Sequence, residues 1–128
     1  MRVLLDTHVF LWWVEGDRAL PAKARAVLAD KENECLISLV SAWELAIKAG
    51  LGKLRLTLPV KRYVVENVAA NGFRMLDIQM AHVGRVETLD SHHRDPFDRL
   101  LIAQALEEKL PVVTADPVFR KYGVKRIW

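Results

Sequence analysis

The chain lacks the features that mark secreted and membrane proteins. It has one cysteine in 128 residues and therefore cannot form an intramolecular disulfide. Cys35 lies in the apolar run Cys35-Leu36-Ile37, which indicates a core position and fits a reducing compartment. The first carboxylate comes as early as Asp6, and no apolar stretch is long enough for a signal peptide or a membrane span. We therefore expect a cytoplasmic protein without membrane attachment.

Repeats, low-complexity tracts and linkers rich in glycine, serine or proline are also missing. A length of 128 residues with 52% hydrophobic content suffices for one sizeable core but is short for two. We therefore expect a single domain over residues 1–128. The formal net charge of +3 favours a polyanionic partner only weakly, because many proteins carry as much.

Short apolar runs alternate with segments of helix length. The runs predict strands at 3–5, 36–38, 73–76 and 111–114, with a fifth at 124–127. The segments between them predict helices at 22–29, 40–49, 60–70 and 96–109. Such alternation is typical of an α/β domain built on a parallel sheet with right-handed crossovers.

Acidic residues follow two of these strands. In parallel sheets, ligands bind beyond the carboxyl ends of the strands, and Asp6 and Asp116 come at or just after such ends. Each has an alternative role as a helix N-cap. Asp6 precedes a helical segment through Phe10, Leu11 and Val14, and Asp116 precedes Pro117. For Asp116 the two roles are compatible.

Glu44 lies within a predicted helix. Its spacing places it on one stripe with Val40, Ile47 and Leu51, so we expect it to face inward. An inward carboxylate is costly unless a cation pairs with it. The alternative is a plain ion pair with Lys48, four residues further on.

Asp98 lies in the first turn of another predicted helix. Pro96 suits the first helical position, which makes Asp95 the natural N-cap. Asp98 shares a stripe with Ile102 and Ala105, which predicts an inward carboxylate. The alternative is a favourable interaction of this acid with the helix dipole.

Four acids from separate segments are therefore candidates for one cluster: Asp6, Glu44, Asp98 and Asp116. Oxygen ligands suit hard cations such as Mg²⁺ or Mn²⁺. His82, His92 and His93 form no zinc-binding pattern, and we expect the last two in a solvated loop. A metal held by carboxylates lowers the pKa of bound water and stabilises an in-line displacement at phosphorus. The cluster thus predicts phosphodiester hydrolysis.

Four segments resemble the VapC group of PIN domains. They are VLLDTH at 3–8, SLVSAWELAIK at 38–48 with GKL at 52–54, DPFDRLLIAQA at 95–105, and VTAD at 113–116. The resemblance implies a five-stranded parallel sheet flanked by helices in three layers. It implies that Asp6, Glu44, Asp98 and Asp116 are the catalytic acids that bind Mg²⁺ or Mn²⁺. It also implies an endoribonuclease that is the toxin of a prokaryotic toxin–antitoxin pair, with an RNA substrate and an antitoxin partner.

Further expectations concern supporting residues and partners. Thr7 and Thr114 are candidates to orient carboxylates or water, although either is equally well an ordinary hydroxyl at a strand end. The apolar run Phe10-Leu11-Trp12-Trp13-Val14 predicts a contact surface for a homodimer or an antitoxin. The alternative is two core positions with two aromatic edges. Dispersed Lys and Arg side chains are expected to hold RNA phosphates.

Two other functions are open. A phosphatase of the haloacid dehalogenase kind also begins with a strand that ends in Asp, but it needs a second Asp two positions later, where this chain has His8. The other alternative is a non-catalytic PIN-like module that binds RNA or protein and whose acids are structural. An intact set of inward carboxylates argues against this module.

Overall fold

Two helices stand between successive strands of the first four, and one helix stands between the last two strands. A computed structural model describes residues 1–128. The strands are β1 (Arg2–Leu5), β2 (Glu34–Ser38), β3 (Arg74–Leu76), β4 (Val112–Val113) and β5 (Arg126–Ile127). The helices are α1 (Thr7–Glu15), α2 (Ala22–Ala29), α3 (Leu39–Gly50), α4 (Val60–Ala70), α5 (Met80–Glu87), α6 (Pro96–Glu108) and α7 (Val118–Lys121).

The sheet has β1 at its centre. The strand order is β3-β2-β1-β4-β5, and every pair is parallel. Leu4 of β1 lies opposite Leu36 of β2 and opposite Val112 of β4. Because parallel strands end at the same edge, the residues that follow β1, β2 and β4 lie near one another.

Both faces of the sheet are buried. Successive side chains of a strand point to opposite faces. Val3 and Leu5 accordingly join one apolar cluster with Phe10, and Leu4 joins a second cluster with Ile102. Val3, Leu4 and Leu5 have no exposed surface, whereas Arg2 at the start of the strand is exposed. Burial on both faces explains why β1 is a continuous apolar run without polar alternation, and the predicted α/β fold with a five-stranded parallel sheet between helices is confirmed.

Two helices were not predicted from the sequence. All five predicted strands are present, with β4 and β5 shortened to two residues each. The first unpredicted helix, α5, starts after Gln79 rather than after a usual N-cap residue, and it contains Gly84, which disfavours helix. The second, α7, has four residues, which is too short for a helical periodicity to be visible.

The apolar run on α1 packs largely within the chain, and its use as a contact surface stays a prediction. Phe10 and Leu11 are buried, and Trp12, Trp13 and Val14 pack partly against the same core. The indole Nε1 of Trp13 also donates a hydrogen bond of 2.9 Å to Asn71. The run is therefore accommodated within the chain, as two core positions with aromatic edges. Strongly exposed apolar side chains lie on other helices instead: Trp43, Val65, Met80 and Val83.

Two expectations about composition can be compared with the structure. Cys35 is 2% exposed, which confirms its core position, and burial raises the pKa of its thiol to about 11. None of the seven helices combines the length and the apolar character that spanning a bilayer requires.

Candidate active site

Asp6 lies at the carboxyl end of the central strand. Its Oδ1 accepts a hydrogen bond of 2.7 Å from the backbone N–H of Thr7, so it is the N-cap of α1. Its Oδ2 accepts a hydrogen bond of 2.7 Å from the hydroxyl of Thr114, which follows β4. Asp6 is 8% exposed, and this burial raises its pKa, although both hydrogen bonds act in the opposite direction. The N-cap role and the cluster position therefore coexist.

The two threonines make different contacts. Thr114 contacts the Asp6 carboxylate through its side chain, whereas the hydroxyl of Thr7 donates to Ser41 at 2.8 Å. Thr7 reaches Asp6 only through its backbone N–H. Only Thr114 thus has the side-chain contact expected of a residue that orients a carboxylate.

Glu44 lies on the buried face of α3. Its side chain is 6% exposed, and its Oε2 lies 2.6 Å from Nζ of Lys48, so inward burial and the ion pair are both present. The predicted stripe is partly wrong, because Ile47 and Leu51 are exposed while Glu44 is buried beside Leu45. Residues three and four positions apart share one face of a helix. The face of α3 that packs against the core is formed by Val40, Ser41, Glu44 and Leu45.

Asp98 lies in the first turn of α6. Asp95 accepts hydrogen bonds from the backbone N–H groups of Phe97 and Asp98, which confirms it as the N-cap. The Asp98 side chain is 19% exposed, on the same stripe as buried Ile102. Burial raises the pKa of Asp98 to about 7, and repulsion from neighbouring carboxylates adds to this rise.

Asp116 follows β4 and begins the turn into α7. Its Oδ1 accepts a hydrogen bond of 2.9 Å from the backbone N–H of Val118. Its own backbone N–H donates to the hydroxyl of Thr114 at 3.0 Å. Thr114 therefore connects Asp116 with Asp6.

The four acids line one cavity of about 260 Å³. The other residues that line it are His8, Val9, Trp12, Lys48, Asp95 and Ala115. Lys48 is the one Lys or Arg among them, so the carboxylates outnumber the fixed positive charges. An all-oxygen donor set with excess negative charge fits a hard divalent cation. In the structure, no three Asp, Glu, His or Cys side chains are close enough to one another to bind a single ion. The acids make hydrogen bonds within the chain instead: Glu44 pairs with Lys48, and Asp6 and Asp116 accept from backbone or threonine donors.

His92 and His93 lie in the loop before α6, as predicted, and His92 is exposed. The contacts of His93 were not predicted from the sequence: its Nε2 lies 3.2 Å from Oδ2 of Asp98 and its Nδ1 lies 2.8 Å from the Tyr122 hydroxyl. The ring of His92 packs edge-on against Tyr122 with 4.8 Å between centroids. No sequence signal pointed to these contacts, because Tyr122 is 29 residues away from His93.

A separate apolar cavity of about 470 Å³ lies between α3 and α4. Its lining includes Leu39, Trp43, Val64 and Val65, and Lys61 is its one charged residue. It contains no cluster of acids or nucleophiles and therefore is not a candidate catalytic centre.

Comparison with known proteins identifies the family. Residues 3–125 match the PIN domain family. Ribonuclease VapC22 of Mycobacterium tuberculosis is 31% identical over 122 residues, which cover 94% of this chain and 91% of that protein. The structure of VapBC2 from Rickettsia felis, bound to a DNA fragment from their promoter, contains a chain of the same fold with a TM-score of 0.71, 16% identity and full coverage of both chains. FitAcB from Neisseria gonorrhoeae matches with a TM-score of 0.61 and 22% identity over 98% of this chain and 96% of that one. The chain therefore belongs to the PIN-domain family and is of the VapC type within it.

Proposed function

We propose that the protein is a metal-dependent endoribonuclease and the toxin of a VapBC-type pair. The observation that carries this proposal is the convergence of Asp6, Glu44, Asp98 and Asp116 from four segments on one cavity at the carboxyl edge of the sheet. The relative named ribonuclease VapC22, which matches nearly the whole chain, supports a nuclease acting on RNA.

The four acids would hold Mg²⁺ or Mn²⁺. Such an ion, when bound, would lower the pKa of a water molecule and would neutralise the negative charge that develops around the phosphorus. The chain's own residues prepare the cavity for this chemistry. Thr114 and the Thr7 backbone fix both oxygens of Asp6. Lys48 pairs with Glu44 in the absence of an ion and would compete with the ion for this carboxylate. The raised pKa values of Asp6 and Asp98 reflect burial of acidic groups that a cation would stabilise in their charged form.

RNA would reach the cavity across a polar surface beside it. A third cavity, of about 580 Å³, has no apolar lining residue and is bordered by Ser91, His92, His93, Arg94 and Arg99. His93 also contacts Asp98, so this polar cavity adjoins the acidic one. Arg94 is exposed and forms no ion pair within the chain, so its charge is free for a phosphate.

An antitoxin is the proposed protein partner. Structural neighbours include a VapBC2 complex and a toxin–antitoxin complex from Klebsiella pneumoniae, the latter with a TM-score of 0.56. The apolar cavity between α3 and α4 is a surface that such a partner would cover. Exposed Met80 and Val83 on α5 are available to a second copy of the chain, in keeping with a proposed homodimer. We place the protein in the prokaryotic cytoplasm.

The test is cleavage of total bacterial RNA by purified, antitoxin-free protein. Reactions contain Mg²⁺, Mn²⁺ or excess EDTA and compare the wild type with Asp6→Asn and Asp98→Asn. Asp90→Asn is the matched control, because the Asp90 side chain is 86% exposed and lies outside the cavity lining. Discrete fragments that disappear with EDTA and in both cavity variants, but persist in Asp90→Asn, would support the proposal. Absence of cleavage by folded, metal-loaded wild type would contradict it.

A non-catalytic RNA-binding or protein-binding module is the second candidate. The ion pair between Lys48 and Glu44 favours it, because one of the four acids already has a cation from the protein. This candidate predicts that wild type retains RNA without cutting it, and that Asp6→Asn and Asp98→Asn do not reduce binding. A gel-shift measurement on the same variants separates the two functions.

A further inference from the structure

The Asp98 carboxylate makes its side-chain hydrogen bond with a residue outside its own helix. His93 lies three residues before α6, and its Nε2 is 3.2 Å from Oδ2 of Asp98. The side chains of His93 and Asp98 are 21% and 19% exposed. On its other side, Nδ1 of His93 is 2.8 Å from the hydroxyl of Tyr122, a residue that is 9% exposed. Solvent therefore competes little for either contact.

The direction of the Tyr122 hydrogen bond follows from the groups around its oxygen. That oxygen accepts from the backbone N–H groups of His92 at 3.3 Å and His93 at 3.2 Å, and from the guanidinium of Arg99 at 3.0 Å. Backbone N–H and guanidinium groups donate only. The one acceptor in contact with the hydroxyl is Nδ1 of His93, so the hydroxyl donates its proton there.

This direction sets the tautomer of the histidine. A neutral imidazole carries one N–H, and a ring nitrogen that accepts a hydrogen bond cannot carry it. With Nδ1 accepting from Tyr122, the ring proton is on Nε2, which faces Oδ2 of Asp98. We propose that His93 is a positioning residue, held by Tyr122 in the Nε2–H tautomer so that it donates to Asp98 and orients this carboxylate in the acidic cavity.

His93 holds the Asp98 carboxylate, and the other three acids are held by other donors. Asp6 has two donors, and Glu44 and Asp116 have one each. His93 is the one donor to the Asp98 carboxylate, which is repelled by its acidic neighbours. A carboxylate without a donor would be free to rotate away from them.

Arg99 holds the same loop in place. Its Nη1 donates to the carbonyl of Asp90 at 2.8 Å as well as to the Tyr122 hydroxyl, and its guanidinium lies 5.8 Å from the centre of the Tyr122 ring. The backbone around His93 is therefore fixed, and Tyr122 links the segment after Asp116 to Asp98.

The first test reads the tautomer directly. Long-range ¹H–¹⁵N spectra of metal-free, ¹⁵N-histidine-labelled wild type are expected to show His93 with its proton on Nε2. Tyr122→Phe removes the donor to Nδ1 and is expected to introduce the other tautomer. A wild-type spectrum with the proton on Nδ1 would overturn the proposal, and this result requires no variant to fold.

The second test replaces His93 with two amide side chains, each of which replaces only one of the two ring nitrogens. Gln places a donor near the position of Nε2 and can reach Asp98, whereas Asn places an amide near Nδ1 and can reach only Tyr122. Calorimetric titration with Mn²⁺ alone is expected to show about tenfold weaker binding for His93→Ala and His93→Asn, as outer contacts to metal ligands typically provide. His93→Gln is expected to recover most of the affinity. Asp90→Asn is the matched control, because the Asp90 side chain is 86% exposed and lines neither the acidic cavity nor the polar cavity beside it.

Cleavage assays on the same proteins separate this proposal from the proposed function on which it rests. We expect His93→Asn to lower kcat with little change in KM, and His93→Gln to restore kcat. Wild-type cleavage together with full activity and unchanged Mn²⁺ affinity in His93→Ala would overturn the role of His93 and leave the nuclease intact. If wild type does not cleave RNA, the proposed function fails, while the tautomer still decides whether Tyr122 and His93 act on Asp98. Recovery by Asn rather than Gln would also overturn the proposal, because it would show that the contact with Tyr122 alone matters.

Discussion

The hydroxyl of Thr114 donates a 2.7 Å hydrogen bond to Oδ2 of Asp6, although 108 positions separate the two residues. Strand pairing brings them together, because Leu5 and Val113 are parallel partners and both strands end at the same level. A buried hydrogen bond to a carboxylate both orients it and favours its charged form.

The first prediction concerns this hydrogen bond. Thr114→Val keeps the shape of the side chain and removes the donor, so the pKa of Asp6 is expected to rise further. We expect cleavage to fall about tenfold and the free energy of unfolding to fall on the order of 1 kcal/mol. RNA cleavage and urea denaturation measure the two effects. Thr114→Ser retains the hydroxyl and should resemble wild type; equal losses in the two variants would argue against the hydrogen bond.

A second prediction follows from the raised pKa of Asp98, about 7 in the folded protein against 3.8 ordinarily. A group whose pKa is raised by folding contributes stability that is complete below the lower value and is lost as pH rises through the higher one. In EDTA at pH 8, the free energy of unfolding of Asp98→Asn should therefore exceed that of wild type by on the order of 2 kcal/mol. Its melting temperature should be correspondingly higher. The difference should shrink towards pH 4.

Thermal denaturation from pH 4 to pH 8 measures this effect. Asp90→Asn is the control, since its exposed side chain should give no such trend. A lower melting temperature for Asp98→Asn at pH 8 would mean that the carboxylate stabilises the metal-free fold.

A third prediction concerns metal and stability. An ion that binds only the folded chain stabilises it by about 2.7 kcal/mol at a concentration a hundredfold above its Kd. Mn²⁺ should therefore raise the melting temperature of wild type in a concentration-dependent way, and EDTA should reverse the rise. Asp6→Asn should show little or none of it. A rise of equal size in Asp6→Asn would place the ion elsewhere.

A fourth prediction concerns the ion pair between Lys48 and Glu44. Lys48→Met removes the cation from a buried carboxylate, so the metal-free protein should lose on the order of 1 kcal/mol of stability, since the lysine is 37% exposed and partly screened. With this cation gone, Mn²⁺ should bind more tightly. Calorimetry and urea denaturation test both effects, with exposed Lys53→Met as the control. Weaker Mn²⁺ binding in Lys48→Met would contradict the idea that lysine and metal compete for Glu44.

The sequence alone predicted much of the framework. Continuous apolar runs predicted buried parallel strands, because strands covered on both faces need no polar alternation. Asp95 was predicted as an N-cap from its position before Pro96, and this prediction is confirmed. These features are local, since they depend on residues within a few positions of one another. The roles of the four acids remain predictions that the experiments above test.

Tertiary structure decided the features that depend on distant residues. The sequence determined that Glu44 lies on a partly apolar helix, but the packing of α3 decided that Leu45, and not Ile47, shares its buried face. Likewise, the sequence placed His93 beside α6, but only folding brought Tyr122 within 2.8 Å of its ring. Periodicity describes one element at a time, whereas a hydrogen bond between two loops depends on the sheet order and on the helices that connect the strands.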